Sequence, residues 1–476
     1  MEKLKNILFN KVTIGAILLF VQLAWLLLFF YQLSSYSTVI TAILGLVSVL
    51  MMLAIVSSKD NPVYKIGWLI LIGLMPMFGT FLYLISANKQ PAKKLRKAIQ
   101  ESEARIEQAL EQTNYSSQDV PIADEVKGIS DYIASQGTYT RHGNTDVSYF
   151  KLGEDMYASM LKDMEQAQSF IFFEYFIVGQ GQMWDGMKDI LINKAQEGLD
   201  VRVMYDDLGS LMVLPKGFKA ELESNGVKVV TFNPMVPYLA LGMNNRDHRK
   251  ILVIDGNVAY NGGINIADEY INVDSKLGHW KDTGLRLEGD GVANLTLMFL
   301  SVWDACRKEQ THVAAYLPKK SVKAKDYVYI FTPYLIIDHE MTLALTMAAK
   351  RGVDVRIVVP KIPDKKAVYT LTESYFRPLL EAGVRLYRYT PGFIHAKSYL
   401  ADDKVGVVGT INMDYRSLYL HFECGTFLYE VDALKDLKED YLETFAVSEE
   451  VQLKELGEGL LKRTGQAVLR VLSPLF

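Results

Sequence analysis

The 476-residue sequence predicts an α/β fold in which two similar halves pack about a pseudo-twofold axis, preceded by an N-terminal transmembrane helical region. Long apolar runs are confined to the first 88 residues, strand-like and helix-like stretches alternate from residue 138 onward, and one motif occurs twice in that later part. A chain of this length exceeds one compact core. The predicted division is a membrane-embedded helical region at 1–88, a charged helical linker at 89–137, a first repeat at 138–317 and a second at 318–476.

The membrane region rests on three apolar runs: Val12–Tyr31, Thr38–Val56 and Ile66–Ile85. Each approaches the ~20 residues that a helix needs to cross the hydrocarbon core. Pro76 and Gly79 interrupt the third run, which favours two spans plus one re-entrant segment. Basic residues lie before the first run and densely after the third, so the positive-inside rule predicts a cytoplasmic catalytic part.

The charge and the cysteine content indicate which partners and sites the protein is not expected to have. The formal net charge is -4, whereas nucleic-acid binders usually carry a basic excess, so the sequence predicts no nucleic-acid partner. Cys306 and Cys424 are the two cysteines, and two widely separated thiols form neither a disulfide framework nor a cysteine-based zinc site.

The alternation of β-rich and helical stretches occurs twice, which is typical of an α/β architecture. The first set consists of a strand at Ser169–Val178, a helix at Met183–Glu197 and a strand at Val201–Tyr205. The second set consists of a strand at Tyr327–Ile337, a helix at Glu340–Lys350 and a strand at Val353–Pro360.

The duplicated motif is His-x-Lys-x4-Asp, followed after six residues by Gly-x-Ile-Asn. A carboxylate follows further downstream in both copies. The first copy comprises His248, Lys250, Asp255, Asn265 and Asp282, and the second comprises His395, Lys397, Asp402, Asn412 and Glu423. A single His-x-Lys readily recurs by chance, whereas recurrence of the whole pattern indicates that the two copies contribute to one site.

Strand geometry indicates which residues of the motif face the site. Each motif is predicted to lie on a strand, where the histidine and lysine project to the same face because they are two residues apart. Asp255 and Asp402 are candidate catalytic residues as members of the motif. However, they lie an odd number of residues from their histidines, so they are better placed to brace the fold.

Two histidines in one site can divide a phosphodiester transfer. A neutral one attacks phosphorus, and a protonated one gives its proton to the leaving oxygen. An imidazole has a usual pKa of about 6.5, so at neutral pH either its neutral or its protonated form costs little free energy.

The remaining residues would support this chemistry. We expect Lys250, Lys397, Asn265 and Asn412 to bind phosphate oxygens, and Asp282 and Glu423 to orient the imidazoles. No metal or other cofactor is required, and the sequence offers no clear metal-ligand cluster. His279 and His421, which neighbour the acids, are interpreted as structural or peripheral.

The paired motif resembles the phospholipase D superfamily, and the rest of the chain resembles bacterial cardiolipin synthases. The supporting segments are Asn245–Gly256, His279–Gly284, Tyr329–Tyr334, Ile394–Lys397 and Leu472–Phe476. The resemblance covers nearly the whole chain. It implies two phospholipase D-like repeats in a bacterial cell-membrane protein. It further implies transfer of a phosphatidyl group between two phosphatidylglycerol molecules, giving cardiolipin and glycerol, with His248 as nucleophile and His395 as acid and base. The symmetry of the motif allows these two roles to be exchanged.

Other functions stay open on the same scaffold. Water as acceptor would make a phospholipase D-type hydrolase, and another alcohol a different phosphatidyltransferase. A membrane-tethered nuclease and an inactive scaffold are the remaining alternatives, and a homo-oligomer is left open.

One feature departs from the family pattern. Only Ala314–Asp326 separates the first half from the strand that begins at Tyr327. The first half places Glu154–Gln168 before the corresponding strand, so a helix and loop are expected to be missing from the second half.

Overall fold

The computed structural model describes residues 38–58, 62–86, 90–111, 124–135, 139–143, 145–214, 216–234, 245–273, 276–317, 326–350 and 352–456, with a few isolated residues near the termini. The predicted run Val12–Tyr31 lies outside the described residues apart from positions 24 and 28.

The N-terminal described part is helical. Its helices are α1 (Thr38–Ser57), α2 (Pro62–Leu74) and α3 (Pro76–Ser86). The predicted interruption of the third apolar run is confirmed, because α2 ends two residues before Pro76 and a new helix begins there. Ser48 of α1 donates a hydrogen bond to the Pro76 carbonyl at 2.7 Å, which ties the break to α1. Within the described ranges, no helix has both the length and the apolarity to cross a bilayer.

Two helices cover the predicted linker, α4 (Gln90–Glu111) and α5 (Asp124–Ser135). Ile99 and Ile106 of α4 are buried in the main core cluster of the catalytic part. The linker helix is therefore attached to the catalytic part rather than a solvated spacer.

The first repeat is built on a seven-stranded sheet with the order β1-β8-β6-β5-β2-β3-β4. Its strands are β1 (Thr145–Phe150), β2 (Phe170–Tyr175), β3 (Asp200–Asp206), β4 (Lys228–Phe232), β5 (Lys250–Ile254), β6 (Val258–Gly262) and β8 (Gly284–Gly289), with the short β7 (His279–Lys281) outside the sheet. Its helices are α6 (Gly153–Glu165), α7 (Gln182–Gln196), α8 (Asp207–Ser210), α9 (Phe218–Ser224) and α10 (Val292–Arg307).

The second repeat has a six-stranded sheet with the order β16-β14-β9-β11-β12-β17. Its strands are β9 (Asp326–Phe331), β11 (Arg356–Pro360), β12 (Arg385–Tyr389), β14 (Ser398–Gly409), β16 (Gly425–Tyr429) and β17 (Ser448–Glu450), and β10 (Leu335–Ile336), β13 (Gly392–Ile394) and β15 (Met413–Asp414) pair elsewhere. Its helices are α11 (His339–Lys350), α12 (Lys366–Ser374), α13 (Phe376–Glu381) and α14 (Ala433–Ala446).

The two sheets repeat one another. Strands β2, β3 and β4 are parallel neighbours, as are β9, β11 and β12. The strand and helix stretches predicted in each half are therefore confirmed within a few residues. One buried cluster joins both repeats, combining Phe172 and Trp303 of the first with Phe331 and Tyr441 of the second. The predicted two-repeat α/β fold is therefore observed.

Two elements of the first repeat have no counterpart among the described residues of the second. Nothing in its described residues corresponds to β1 or α6, in agreement with the predicted missing helix. Met156, Met160 and Met164 of α6 are buried in the same cluster as the inner face of α7. The equivalent helix α11 has no buried residue, and its Leu343 and Met347 are 48% and 50% exposed.

Candidate active site

Backbone hydrogen bonds between the two repeats bring the two motifs together. The amide of His248 donates to the Phe422 carbonyl at 2.9 Å, and the amide of His395 donates to the Lys281 carbonyl at 2.7 Å. Strand β13, which leads to His395, pairs in parallel with β7, which leads to Asp282. Each histidine is therefore held against the acid-bearing segment of the other repeat.

This placement corrects one sequence expectation, that each motif lies on a strand. Strand β5 begins at Lys250, so His248 precedes it. His395 and Lys397 lie between β13 and β14. The reason is that the backbone at each histidine pairs across the repeat boundary instead of continuing its own sheet.

The histidines and acids pair crosswise. His248 Nδ1 lies 2.9 Å from both carboxylate oxygens of Glu423, and His395 Nδ1 lies 2.7 Å from Oδ2 of Asp282. These four side chains are between 0% and 9% exposed. A carboxylate on Nδ1 favours the tautomer with the proton on that nitrogen, so Nε2 carries the lone pair. The expected orienting role of Asp282 and Glu423 fits this geometry.

Burial determines the charge of the histidines. It lowers the pKa of His248 to about 3, against the opposing effect of Glu423, and lowers the pKa of His395 to about 4 with a further contribution from Lys397. Burial disfavours ionisation of Glu423, but the attraction and hydrogen bond of His248 hold its pKa below the usual range. Both imidazoles are therefore neutral at neutral pH. The expectation that one is readily protonated is wrong for the protein without substrate.

The two lysines are buried beside their histidines. Lys250 Nζ donates to the His248 carbonyl at 2.5 Å, and Lys397 Nζ lies 2.6 Å from His395 Nδ1. Burial lowers the pKa of Lys250 to about 8 and that of Lys397 to about 7. A phosphate anion would favour the charged form of both, because an opposite charge raises the pKa of an ammonium group.

The asparagines differ in their surroundings. Asn265 accepts a hydrogen bond from the Ile177 amide through Oδ1 and donates to the Tyr270 hydroxyl through Nδ2. One amide hydrogen of Asn265 therefore remains for a phosphate oxygen. Asn412 is 4% exposed, and its Oδ1 has no hydrogen-bond partner in the described part of the chain.

Asp255 and Asp402 are not among the side chains that the structure brings to the two histidines. Asp255 lies in the turn after β5, Asp402 lies at an irregularity within β14, and both have positive φ, of 54° and 51°. The Asp255 carboxylate accepts hydrogen bonds from the backbone amides of Gln168, Ser169 and Phe170. Asp402 is exposed. Asp255 therefore braces the start of β2.

Several side chains that contact the histidines were missed by the sequence reasoning. Tyr270 and Trp280 lie 5.4 and 5.6 Å from the His395 ring, measured between centroids. Phe176 and His421 lie 4.9 and 5.3 Å from the His248 ring. Trp280 and His421 each precede the acid of their repeat by two residues, so the repeat alignment itself contained the signal.

His421 changes the assessment of metal binding. His248, His421 and Glu423 place one possible ligand atom each within 4.8 Å of one another. The sequence did not reveal this cluster because its members come from different repeats. The expectation that His421 is peripheral is therefore wrong, whereas His279 is exposed.

Comparisons with known proteins agree with this geometry. The family described as cardiolipin synthase, PLD-like domain, matches residues 160–277 and 321–445. A protein of Streptococcus mutans described as uncharacterized is 40% identical over 462 residues, covering 89% of this chain and 99% of the relative. A cardiolipin synthase of a Geobacillus species is 33% identical over 459 residues, covering 89% of this chain and 91% of the relative.

A solved structure shares this fold, and the alignment lengths show that one relative has additional residues. The crystal structure of phosphatidylserine synthase from Haemophilus influenzae shares the fold with a TM-score of 0.52 and 15% identity, covering 70% of this chain and 95% of that one. The alignment with the Streptococcus mutans relative extends over 462 positions but takes in 89% of 476 residues, so the relative has residues without a counterpart here. The chain belongs to the cardiolipin synthase family of phospholipase D-like proteins.

Proposed function

We propose that this protein is a cardiolipin synthase, which transfers a phosphatidyl group from one phosphatidylglycerol to another through a phosphatidyl-histidine intermediate. The observation that carries the proposal is the crossed pairing of His248 with Glu423 and of His395 with Asp282. It gives one buried site two imidazoles, each with a carboxylate beside Nδ1, as suits a two-step displacement at phosphorus.

In the first step, Nε2 of His248 attacks phosphorus and the bond to the glycerol oxygen breaks. His395 gives a proton to that oxygen, and glycerol leaves. Because the pKa of His395 is lowered to about 4 by burial, the proton must be taken up with the substrate. The negative charge of the bound phosphodiester raises the pKa of His395 and makes this possible.

In the second step, a hydroxyl of another phosphatidylglycerol attacks the phosphatidyl-histidine. His395, now neutral, accepts the hydroxyl proton while the bond between phosphorus and Nε2 breaks, and cardiolipin forms. Lys250 and Lys397 neutralise the charge that develops on the phosphate oxygens, helped by the amides of Asn265 and Asn412. The exchange of roles between the two histidines is the alternative assignment.

The N-terminal region would hold this site at a cell membrane, with the catalytic part in the cytoplasm. Support comes from α1, where Leu46, Leu50 and Leu53 are between 57% and 60% exposed, more than an isolated soluble domain usually leaves uncovered. Cysteine-accessibility labelling of each loop in intact cells tests the topology. Labelling of the catalytic part from outside the cytoplasm would contradict it.

The decisive experiment incubates the full-length protein with phosphatidylglycerol vesicles and identifies the products. We expect equal amounts of cardiolipin and glycerol from the wild-type protein and neither from the His248→Ala variant. Phosphatidic acid without cardiolipin would identify a hydrolase instead. Trapping the intermediate by acid quench and mapping the modified residue would assign the nucleophile.

A further inference from the structure

We propose that His248, His421 and Glu423 form a binding site for a divalent transition metal of the zinc type, and that metal bound there inhibits the enzyme. The inhibition rests on the function proposed above. The binding does not, because it follows from the three side chains alone.

The distances suit a tetrahedral ion. Zinc bonds of about 2.0–2.1 Å place neighbouring ligand atoms about 3.3 Å apart. His421 Nδ1 lies 3.4 Å from Glu423 Oε1, and His248 Nδ1 lies 2.9 Å from the same oxygen. Binding therefore requires His248 and Glu423 to separate by a few tenths of an ångström, and the ligand atoms of the two histidines already lie within 4.8 Å of each other.

A second observation points to a ligand at this position. His421 Nδ1 is buried and faces Glu423 Oε1 at 3.4 Å, so this one carboxylate is shared between two buried imidazoles. Both imidazoles and the carboxylate therefore already converge on the position that the ion would take. The His421 side chain is 9% exposed, which leaves a narrow path from solvent.

The ligand atoms, and the hydrogen bond that holds one of them, also suit a zinc ion. Two imidazoles and one carboxylate are ligands that zinc commonly takes in sites with an open fourth position. Thr410 Oγ1 donates a hydrogen bond to Glu423 Oε2, which holds the carboxylate in place as hydrogen-bond partners of metal ligands commonly do. Lys250 and Lys397 oppose a cation, so we expect micromolar affinity rather than that of a structural zinc site.

The other half of the active site provides an internal comparison. Around His395, the position equivalent to His421 is Trp280, which offers no metal ligand. The pair of His395 and Asp282 thus lacks a third donor from that position. We therefore expect one bound metal per chain.

The inhibitory effect follows from the tautomer. His248 Nδ1 carries the proton that Glu423 accepts, which leaves the lone pair on Nε2. A metal on Nδ1 displaces that proton, and the neutral ring then holds its single proton on Nε2. The nitrogen proposed to attack phosphorus loses its lone pair, and the ion also separates His248 from its orienting acid.

The test uses untagged full-length protein, Co²⁺ as the spectroscopic probe and Zn²⁺ as its competitor. We expect one equivalent of Co²⁺ with the intense visible absorption of tetrahedral coordination, abolished by Zn²⁺. The His421→Asn variant should bind at least about tenfold more weakly, and His421→Gln provides a second replacement if that variant misfolds. The matched control is His279→Asn, which removes an exposed histidine and should bind as the wild type does.

The same proteins are then assayed for synthase activity with and without Zn²⁺. We expect His421→Asn and His421→Gln to remain active at zinc concentrations that inhibit the wild type and His279→Asn. Absence of metal binding in the wild type, or undiminished binding in both His421 variants, would overturn the proposal. Binding lost with His421 in a protein that makes no cardiolipin would overturn the proposed function and leave the metal site standing.

Discussion

At the scale of single residues, burial controls the chemistry of this site. His248, His395, Lys250 and Lys397 are all between 1% and 7% exposed. Their lowered pKa values mean that the site without substrate carries less positive charge than its composition indicates. A phosphodiester anion would restore that charge, so substrate binding and protonation are expected to be coupled.

The lowered pKa of His395 predicts how stability depends on pH. The unfolded chain binds a proton near pH 6.5, whereas the folded protein binds it near pH 4, so stability is lost as the pH falls between these values. The full loss is on the order of 3 kcal/mol. The His395→Asn variant should therefore lose less stability than the wild type between pH 6.5 and 4.5, measured by urea unfolding. An unchanged slope in His395→Asn would contradict this, and His279→Asn is the control.

The lowered pKa of Lys397 predicts a pH effect on catalysis. Its ammonium charge is lost as the pH rises through about 7, so kcat/KM should fall above that pH, by at most tenfold per pH unit. Arginine keeps its charge, so the Lys397→Arg variant should show this fall at higher pH even if its activity is lower. The measurement is kcat/KM between pH 6 and 9, and coincident normalised profiles would argue against Lys397 as the titrating group.

At the scale of elements, one strand and one helix of the first repeat have no counterpart in the part of the second repeat that the structure describes. Helix α6 covers α7 in the first repeat, whereas nothing described covers α11 in the second. The crossed pairing of β7 with β13 does not involve the missing elements, so both histidines keep their partners. The loss affects the outer layer of the second repeat and leaves the site assembled.

A pair of substitutions tests this difference in covering. Met160 of α6 is fully buried, so Met160→Ala should cost about 2–5 kcal/mol of stability. Leu343 of α11 is 48% exposed, so Leu343→Ala should change stability by no more than about 0.5 kcal/mol. Thermal and urea unfolding measure both. A large loss for Leu343→Ala would show that its face is covered in solution.

At the scale of the whole molecule, one site is assembled from both halves of a single chain. His248 depends on Glu423 of the second repeat, and His395 depends on Asp282 of the first. Neither repeat alone contains a histidine with its orienting acid. Activity is therefore expected to require both repeats.

This arrangement predicts the result of a mixing experiment. When His248→Ala and His395→Ala proteins are combined, no activity should return, because each chain carries one defective site. The measurement is cardiolipin formation after co-expression of the two variants. Recovery toward a quarter to half of the wild-type rate would mean that repeats from different copies share a site, and would make the protein an exchanged oligomer.

The sequence by itself determined the α/β class, the duplication and the identity of the paired histidines, lysines and acids, because local patterns and repeat spacing are written along the chain. The predicted strands and helices around Phe170–Tyr175 and Gln182–Gln196 were confirmed for the same reason. The sequence also favoured a bracing position for Asp255, but the strand parity behind that expectation does not apply, because His248 precedes β5. The four-part domain division and the membrane topology stay predictions.

Only the tertiary structure decided which acid orients which histidine. Asp282 and Glu423 approach the histidine of the opposite repeat, and that exchange depends on how two sheets pack, which no local pattern encodes. The same holds for His421, whose proximity to His248 requires pairing between segments far apart in the chain. Burial, which sets the pKa values of the histidines and lysines, is likewise a property of the packed molecule and not of the residues that the motif names.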